Sequence, residues 1–177
     1  MPAMYGFCMD VAHLNLDVKN CEKIDVIIEI SANSYPVKYE LKDSLLRVDR
    51  FIPTSMVYPA NYGFIPNTIG GDGDPIDVLV MSRFPVVSCA VLSVRPVGAL
   101  CTVDESGDDV KILGVPSNEI DPHYSRILNY SDFSENELER IVHFFQSYKQ
   151  LEKGKKVSVG EWKDAHYAQD EISKALG

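Results

Sequence analysis

Six short segments of β-branched and other apolar residues, each bounded by turn residues, constrain the fold of this chain more than any other feature. They run over residues 23–30, 36–41, 45–51, 77–81, 90–103 and 109–116. In the second segment, apolar residues alternate with Lys38 and Glu40, which is the period of a half-buried strand. Pro53, Gly70-Gly71, Pro85 and the turn at 104–109 separate the segments. The pattern predicts a series of short strands.

The last third of the chain changes to helical periodicity. Residues 134–154 begin with Ser134 and Glu137 in capping-box spacing and end at Lys153-Gly154, so we predict a helix there. We predict a second helix over 161–176. Their inward residues would be Leu138, Ile141, Val142, Phe145, Tyr148 and Leu151, then Trp162, Ala165, Ile172 and Leu176. Strands followed by helices predict an α+β fold with a closed or half-closed barrel.

The acidic balance limits the possible partners. The 177 residues are expected to form one domain, 1–177, and contain 26 Asp and Glu against 17 Lys and Arg, a formal net charge of −9. Nucleic acids and anionic membranes attract basic surfaces, so neither is expected as a partner. We find no signal-peptide pattern at the N-terminus and no apolar run of membrane-spanning length, so a cytoplasmic protein is expected.

The four cysteines, Cys8, Cys21, Cys89 and Cys101, have neither CxxC nor zinc-type spacing. We therefore expect free buried thiols rather than a secreted disulfide scaffold.

Two acidic turns are the main chemical signal. Asp72, Asp74 and Asp77 lie within six positions before an apolar strand, and the turn at 104–109 contains Asp104, Glu105, Asp108 and Asp109. One such turn alone would be ordinary solvated surface. Two carboxylates about 4 Å apart repel by roughly 4 kcal/mol at an effective dielectric constant of 20, so a repeated cluster at one end of a barrel predicts a bound cation.

The ligand type indicates which cation. Carboxylate oxygens without nearby Cys or His suit Mg²⁺, Mn²⁺ or Ca²⁺. An EF-hand loop starting at Asp72 would need Gly and Glu where Asp77 and Arg83 stand, so that loop is excluded. Mg²⁺, which is held by a few carboxylates together with water and phosphate, fits best.

Cationic and phenolic residues complete this prediction. They are Lys38, Arg50, Lys111, Tyr148-Lys149, Lys155-Lys156, Tyr58 and Tyr62. Each cation alone would be a solvated charge, and core packing is a competing role for the tyrosines, Tyr148 above all. Together with the carboxylates they predict a site for a metal-bound phosphate. The chain contains no Walker A loop, so a nucleotide is not the obvious ligand.

The motif DGDPIDVLV, residues 72–80, resembles the signature of the soluble (family I) inorganic pyrophosphatases of the short bacterial type. It stands in order with IIEI, VKYE, VDRF, YPANYGFIP, RPVGAL, DESGDD and HFFQSYKQLEKGK, so the resemblance runs from about residue 24 to 172. The resemblance implies a small five-stranded OB-like β-barrel with additional strands and two C-terminal helices packed outside. It implies Mg²⁺-dependent hydrolysis of pyrophosphate to two orthophosphates by a metal-activated water, and a cytoplasmic homohexamer.

The same resemblance implies a role for each site residue. Asp72, Asp77 and Asp109 would hold the metal pair that activates water, with Asp104 on a further metal, and Mn²⁺ or other divalent ions as possible substitutes for Mg²⁺. Asp74 would be the general base. Phosphate would be bound by Lys38, Arg50, Tyr62, Tyr148 and Lys149. Glu29, Glu40, Tyr58 and Lys111 would complete the charged cavity.

Three other functions remain open at this point. The first is a Mg²⁺-dependent hydrolase for a nucleotide or polyphosphate, against which a small cavity crowded with charge argues. The second is an OB-like module that binds single-stranded nucleic acid, which would need a basic groove with stacking aromatic residues. The third is a structural calcium-binding protein, in which the cationic residues would have no use.

Overall fold

The computed structural model describes residues 21–176. Within this range the strands are β1 (Ile24–Ile30), β2 (Val37–Lys42), β3 (Leu45–Phe51), β4 (Asn61–Phe64), β5 (Asp77–Val80), β6 (Val91–Asp104), β7 (Gly107–Pro116) and β8 (Ser158–Lys163). The α-helices are α1 (Glu135–Ser147) and α2 (Ala165–Ala175), and short 3₁₀ helices occur at Pro122–Tyr124 and Tyr130–Asp132.

Five strands close into a barrel. The main sheet has the order β1-β4-β5-β7-β6-β8, and an additional pairing of β1 with β6 joins the ends of the first five strands. β8 extends the sheet beyond β6, and β2 pairs with β3 as a separate two-stranded hairpin. The predicted α+β fold, with a five-stranded OB-like barrel and additional strands, is confirmed.

The barrel strands are buried on both faces. Val78 and Val80 belong to one apolar cluster, which includes Ala168 and Ile172 of α2, whereas Leu79 belongs to another. That other cluster includes the α1 residues Ile141, Phe144 and Phe145. Because neighbouring residues of a strand point to opposite faces, each helix covers a different face.

The pairing of β4 with β1 requires a residue without a side chain at position 63. A Cβ atom at Gly63 in β4 would lie 2.0 Å from the carbonyl oxygen of Ile27 in β1. Only glycine fits there, and this close approach allows the short strand β4 to lie against β1.

A β-bulge shapes the β2–β3 hairpin. Lys38 pairs with Arg50 and Tyr39 pairs with Val48, so Asp49 is the extra residue in β3. A bulge breaks the strict alternation of side chains and can turn two consecutive residues toward the same side. Asp49 and Arg50 thereby both line one cavity.

The first helix is shorter than the sequence predicted. Its capping box at Ser134 and Glu137 is as predicted, but α1 ends at Ser147 instead of continuing to 154. Beyond it, the amide of Gln150 bonds to the carbonyl of Ser147, an i→i+3 contact that tightens the chain into turns. Leu151 is 67% exposed, so its prediction as an inward residue was wrong.

The second helix begins later than predicted, and two strands were missed. Residues 161–163 belong to β8, where Trp162 stacks on Tyr130 with ring centroids 5.8 Å apart. The helix α2 starts at Ala165. Asp164 is its N-cap, because the side chain of Asp164 accepts a hydrogen bond from the amide of Tyr167 at 2.9 Å. β4 and β8 escaped prediction because each is short and contains a glycine, which weakens the strand pattern.

Cys21 is buried, Cys89 and Cys101 are half-buried, and Cys8 lies outside the described residues. Among residues 21–176, neither helix has the length and apolar character that crossing a membrane would require.

Candidate active site

Strand topology brings the two acidic turns to the same end of the barrel. β5 and β7 are parallel neighbours, and their register places Asp77 opposite Lys111. Asp109 lies two residues before Lys111 in β7 and therefore on the same face. Asp104, the last residue of β6, pairs with Gly107, the first residue of β7, across the tight turn between these strands. The loop before β5 carries Asp72 and Asp74 to this end.

A cavity of about 400 Å³ opens where these elements meet. All fourteen residues predicted from the sequence line it: Glu29, Lys38, Glu40, Arg50, Tyr58, Tyr62, Asp72, Asp74, Asp77, Asp104, Asp109, Lys111, Tyr148 and Lys149. The lining also includes Lys42, Asp49, Glu105, Ser106 and Lys155. Nine carboxylates and six cationic side chains thus face one space, which leaves an excess of negative charge.

The buried ammonium group of Lys111 joins the two central acids. Its Nζ donates hydrogen bonds to Asp77 and, at 2.7 Å, to Asp109. Burial alone would lower the pKa of Lys111, but the two carboxylates outweigh it and raise that pKa. Burial also raises the pKa of Asp109, against the opposing effect of Lys111. Lys111 therefore stays charged.

Aromatic rings form the floor beneath these charges. The Tyr62 hydroxyl donates to Asp77, and the Tyr62 ring lies 4.8 Å from that of Tyr58. Tyr148, at the C-cap of α1, stacks on Phe144 with centroids 4.9 Å apart and also lines the cavity. The two roles considered for Tyr148, core packing and a place at the site, therefore coexist.

Glu29 lies deep in the cavity wall. Only 8% of it is exposed, and its Oε1 accepts a hydrogen bond from the amide of Leu41 at 2.6 Å. Burial raises the pKa of the Glu29 carboxyl to about 7, despite the opposing effect of that hydrogen bond. This acid connects β1 of the barrel to β2 of the hairpin.

The hairpin supplies a wall of alternating charges. Lys38 donates to Glu40 at 2.7 Å and lies 3.5 Å from Asp49, while Lys42 lies 2.6 Å from the other oxygen of Glu40. Partial burial would raise the pKa of Glu40, but the hydrogen bonds from Lys38 and Lys42 lower it to about 2. Both lysines are thereby held at the cavity by a carboxylate that stays ionised.

The segment after α1 supplies a second group of cations. Lys149 Nζ lies 3.2 Å from Asp104, at the tip of the β6–β7 turn. Arg50 Nε donates to Glu152 at 3.1 Å, and a further hydrogen bond joins Arg50 to Asp49. Burial would lower the pKa of Arg50, but Glu152 and Asp49 raise it. These contacts connect the hairpin, the barrel and the turn after α1.

The loop before β5 presents Asp74 to solvent at the cavity. The amide of Asp74 donates to Oδ1 of Asp72 at 3.1 Å, and the carbonyl of Asp74 accepts from the amide of Gly70 at 2.7 Å. Gly73 between them has a φ of +92°, a conformation that favours glycine. The tight loop therefore fixes the backbone of Asp74 while its side chain stays exposed.

The donor set of the cavity fits a hard divalent cation. Asp72, Asp77, Asp104 and Asp109 offer oxygen ligands, and the lining contains neither Cys nor His. In the described part of the chain, no three acidic, His or Cys side chains already converge as a preformed metal site, and Lys111 lies between Asp77 and Asp109. The excess negative charge of the lining is the feature that favours a cation.

Sequence reasoning missed several residues of the site. Asp49 stands beside Arg50 in the VDRF motif, but strict alternation would turn it away, and only the bulge places it at the cavity. Lys42 was missed because it directly precedes the hairpin turn. Glu152 was missed because residues 148–154 were read as helix, and no sequence signal pairs it with a residue 102 positions away.

Comparisons with known proteins place this chain in a family. The inorganic pyrophosphatase family profile matches residues 26–177. The chain is 44% identical to an inorganic pyrophosphatase of Brucella melitensis over 95% of this chain and 97% of that protein. It is 51% identical to one of Pseudomonas aeruginosa over 86% and 89% of the two chains.

Solved structures agree with these matches. An inorganic phosphatase of Anaplasma phagocytophilum is similar with a TM-score of 0.87 and 55% identity, covering 88% of this chain and 92% of that chain. An inorganic pyrophosphatase of Helicobacter pylori has a TM-score of 0.86 and 41% identity, covering 92% and 96%.

The substitution Lys111→Met tests the central ion pairs. Removing the ammonium leaves Asp77 and Asp109 close together without their shared counter-charge, so we expect the free energy of unfolding in EDTA to fall by about 2–4 kcal/mol. Urea denaturation followed by tryptophan fluorescence measures the change. Lys163→Met, which removes a solvent-exposed ion pair with Glu161, is the control and should lower the free energy of unfolding far less than Lys111→Met. Equal losses in both variants would contradict the assignment.

Proposed function

The chain belongs to the inorganic pyrophosphatase family, and from that premise we propose how its cavity carries out the reaction. As a member of this family it is an inorganic diphosphatase, which hydrolyses pyrophosphate to two orthophosphates. The single observation that supports the proposal is the meeting of acidic, cationic and phenolic side chains in one cavity. We propose that the substrate lies between the acidic end of the barrel and the cations of the hairpin.

The cations bind and orient the polyanionic substrate. Lys38 and Arg50 pair across the β2–β3 hairpin, whereas Lys149 follows α1, so the cations can approach the phosphate groups from two sides. The hydroxyls of Tyr62 and Tyr148 stay protonated, because burial raises the pKa of both. Tyr148 can donate a hydrogen bond to a phosphate oxygen, and Tyr62 can do so once its hydroxyl turns from Asp77 to the substrate. Fixed donors of this kind favour the charge that develops on the leaving phosphate.

We propose Mg²⁺ as the cofactor, with Mn²⁺ as a possible substitute, held by Asp72, Asp77, Asp104 and Asp109. When bound, the divalent ions lower the pKa of water and neutralise phosphate charge. The hardness of the oxygen ligands and the excess of carboxylates in the lining support this choice.

Asp74 is the proposed general base. Its carboxylate is exposed at the cavity, and its backbone is fixed by the amide of Gly70. It accepts a proton from the attacking water while the water oxygen bonds to one phosphorus atom and the bridging P–O bond breaks. The leaving group is orthophosphate, which Lys38, Arg50 and Lys149 stabilise by their charge.

A phosphate-release assay tests the cofactor and the substrate together. We expect EDTA to abolish phosphate release from pyrophosphate and added Mg²⁺ to restore it. The reason is that the carboxylates of the cavity repel pyrophosphate unless divalent ions neutralise them. ATP with Mg²⁺ is the comparison substrate and should release far less phosphate, since the charge-lined cavity has no evident place for a base and sugar. Full activity in EDTA would contradict the proposed cofactor, and equal rates with ATP would favour a broader phosphohydrolase.

The substitution Asp74→Asn tests the proposed base. Asparagine keeps the shape but accepts a proton poorly, so we expect kcat to fall by about 10²- to 10³-fold while Mg²⁺ binding, measured by calorimetry, is largely retained. Asp170→Asn, on the exposed side of α2, is the control and should retain its activity. Full activity of Asp74→Asn would remove Asp74 from this role.

We also propose that the chain forms one domain, 1–177, and assembles as a cytoplasmic homohexamer. Exposed apolar side chains, among them Tyr35, Phe51 and Val87, support association. Cysteines without disulfide-type spacing support a reducing compartment. Sedimentation equilibrium should give six times the 19.8 kDa mass of the chain, and a monomer at micromolar concentration would contradict the hexamer. Recovery of the activity in a membrane or secreted fraction would contradict the location.

A further inference from the structure

We infer that Glu152 is a positioning residue that aims Arg50 and Lys155 into the phosphate-binding side of the cavity. Glu152 lies outside the set of described residues that line the cavity, whereas both cations belong to that set. This inference rests on the proposed role of the cavity cations in phosphate binding. It assigns to the turn after α1 a function in the reaction beyond supplying Tyr148 and Lys149.

Both carboxylate oxygens of Glu152 are engaged. Oε1 accepts a hydrogen bond from Arg50 Nε at 3.1 Å, and Oε2 lies 3.5 Å from Lys155 Nζ. The side chain of Glu152 is only 12% exposed, against 22% for Arg50 and 38% for Lys155. Glu152 is thus more buried than either of the two cations that it holds, and it does not line the cavity that they face.

The bonds of the Arg50 guanidinium determine which edge remains for a ligand. Nε bonds to Glu152 and Nη1 bonds to Asp49. Among the described residues none accepts a hydrogen bond from Nη2 of Arg50. Because the guanidinium is planar and rigid, fixing Nε and Nη1 also fixes the direction in which Nη2 points. A phosphate oxygen then meets a donor whose orientation is already set.

The local backbone places Glu152 for this role. The amide of Glu152 donates to the carbonyl of Lys149 at 2.9 Å, and the carbonyl of Glu152 accepts from the amide of Lys155 at 3.4 Å. Gly154, with a φ of +78°, allows the reversal between them. The position of Glu152 is therefore coupled to Lys149, a third cation of the cavity.

Two effects of the Glu152 charge oppose each other. Its negative charge repels a phosphate anion, so removing it could strengthen binding. Its contacts also preorganise long cationic side chains, whose conformational freedom would otherwise be lost when the ligand binds. We expect the second effect to dominate, because Arg50 and Lys155 stand between the carboxylate and the cavity and neutralise its charge there.

The variant Glu152→Gln separates these effects, because it keeps the side-chain shape and removes the charge. We expect KM for pyrophosphate with Mg²⁺ to rise about tenfold, the loss expected when a charged hydrogen bond becomes a neutral one, while kcat changes less than about twofold. Glu152→Ala, which removes the contact entirely, should raise KM at least as much. Glu139→Gln, on the exposed side of α1, removes the same charge elsewhere and should leave KM unchanged.

A double variant identifies the route of the effect. Because only the contact with Lys155 then remains, adding Glu152→Gln to Arg50→Ala should raise KM by less than about tenfold. A lowered or unchanged KM in Glu152→Gln would overturn the inference. So would a fall in kcat and melting temperature that accompanies the rise in KM, or additive effects in the double variant. If Arg50→Ala itself leaves KM unchanged, the proposed phosphate site fails as well, and the two failures are thus distinguished.

Discussion

The buried ammonium of Lys111 between Asp77 and Asp109 is the interaction on which the rest of the site depends. These three residues lie on the adjacent parallel strands β5 and β7, whose register brings Asp77 opposite Lys111. Without the lysine, two carboxylates near one another at the end of a closed barrel would repel and push the strand ends apart. With it, the barrel can present acids to a cavity and still remain packed. The hydroxyl of Tyr62 adds a further donor to Asp77 and ties the pair to the aromatic floor.

The fold places most of the acids of the cavity and most of its cations on different elements. The barrel and its turns carry acids such as Asp77, Asp104 and Asp109. All the cations of the cavity lining except Lys111 lie on the hairpin or after α1, although the hairpin also carries Glu40 and Asp49. The cavity lies where these elements meet, and ion pairs across the gap hold it in shape. A ligand that combines divalent cations with a polyanion matches this distribution, because the lining offers both carboxylates and cations. That match is the physical reason why the family's reaction suits this architecture.

Sequence periodicity was sufficient for the central strands and for the start of α1. The alternation in residues 36–41 and the capping box at Ser134 are local signals, and the structure follows both. The motif around Asp74 identified the family, and the residues carried over from it meet in one cavity. What the sequence could not predict depended on contacts between distant segments. β8 forms only against β6, and the ion pair between Arg50 and Glu152 joins residues 102 positions apart.

The ends of the β2–β3 hairpin differ in what they carry. Lys38 and Arg50 pair at the open end, whereas the tip is formed by Asp43 and Ser44, which have φ values of 52° and 61°. Residues added to or removed from the tip would therefore change how far the ribbon projects without shifting the register of the paired cations. Of the hairpin's cavity-lining cations, Lys42 alone lies next to this tip. A change in the length of the ribbon is thus confined to its far end, away from the paired Lys38 and Arg50.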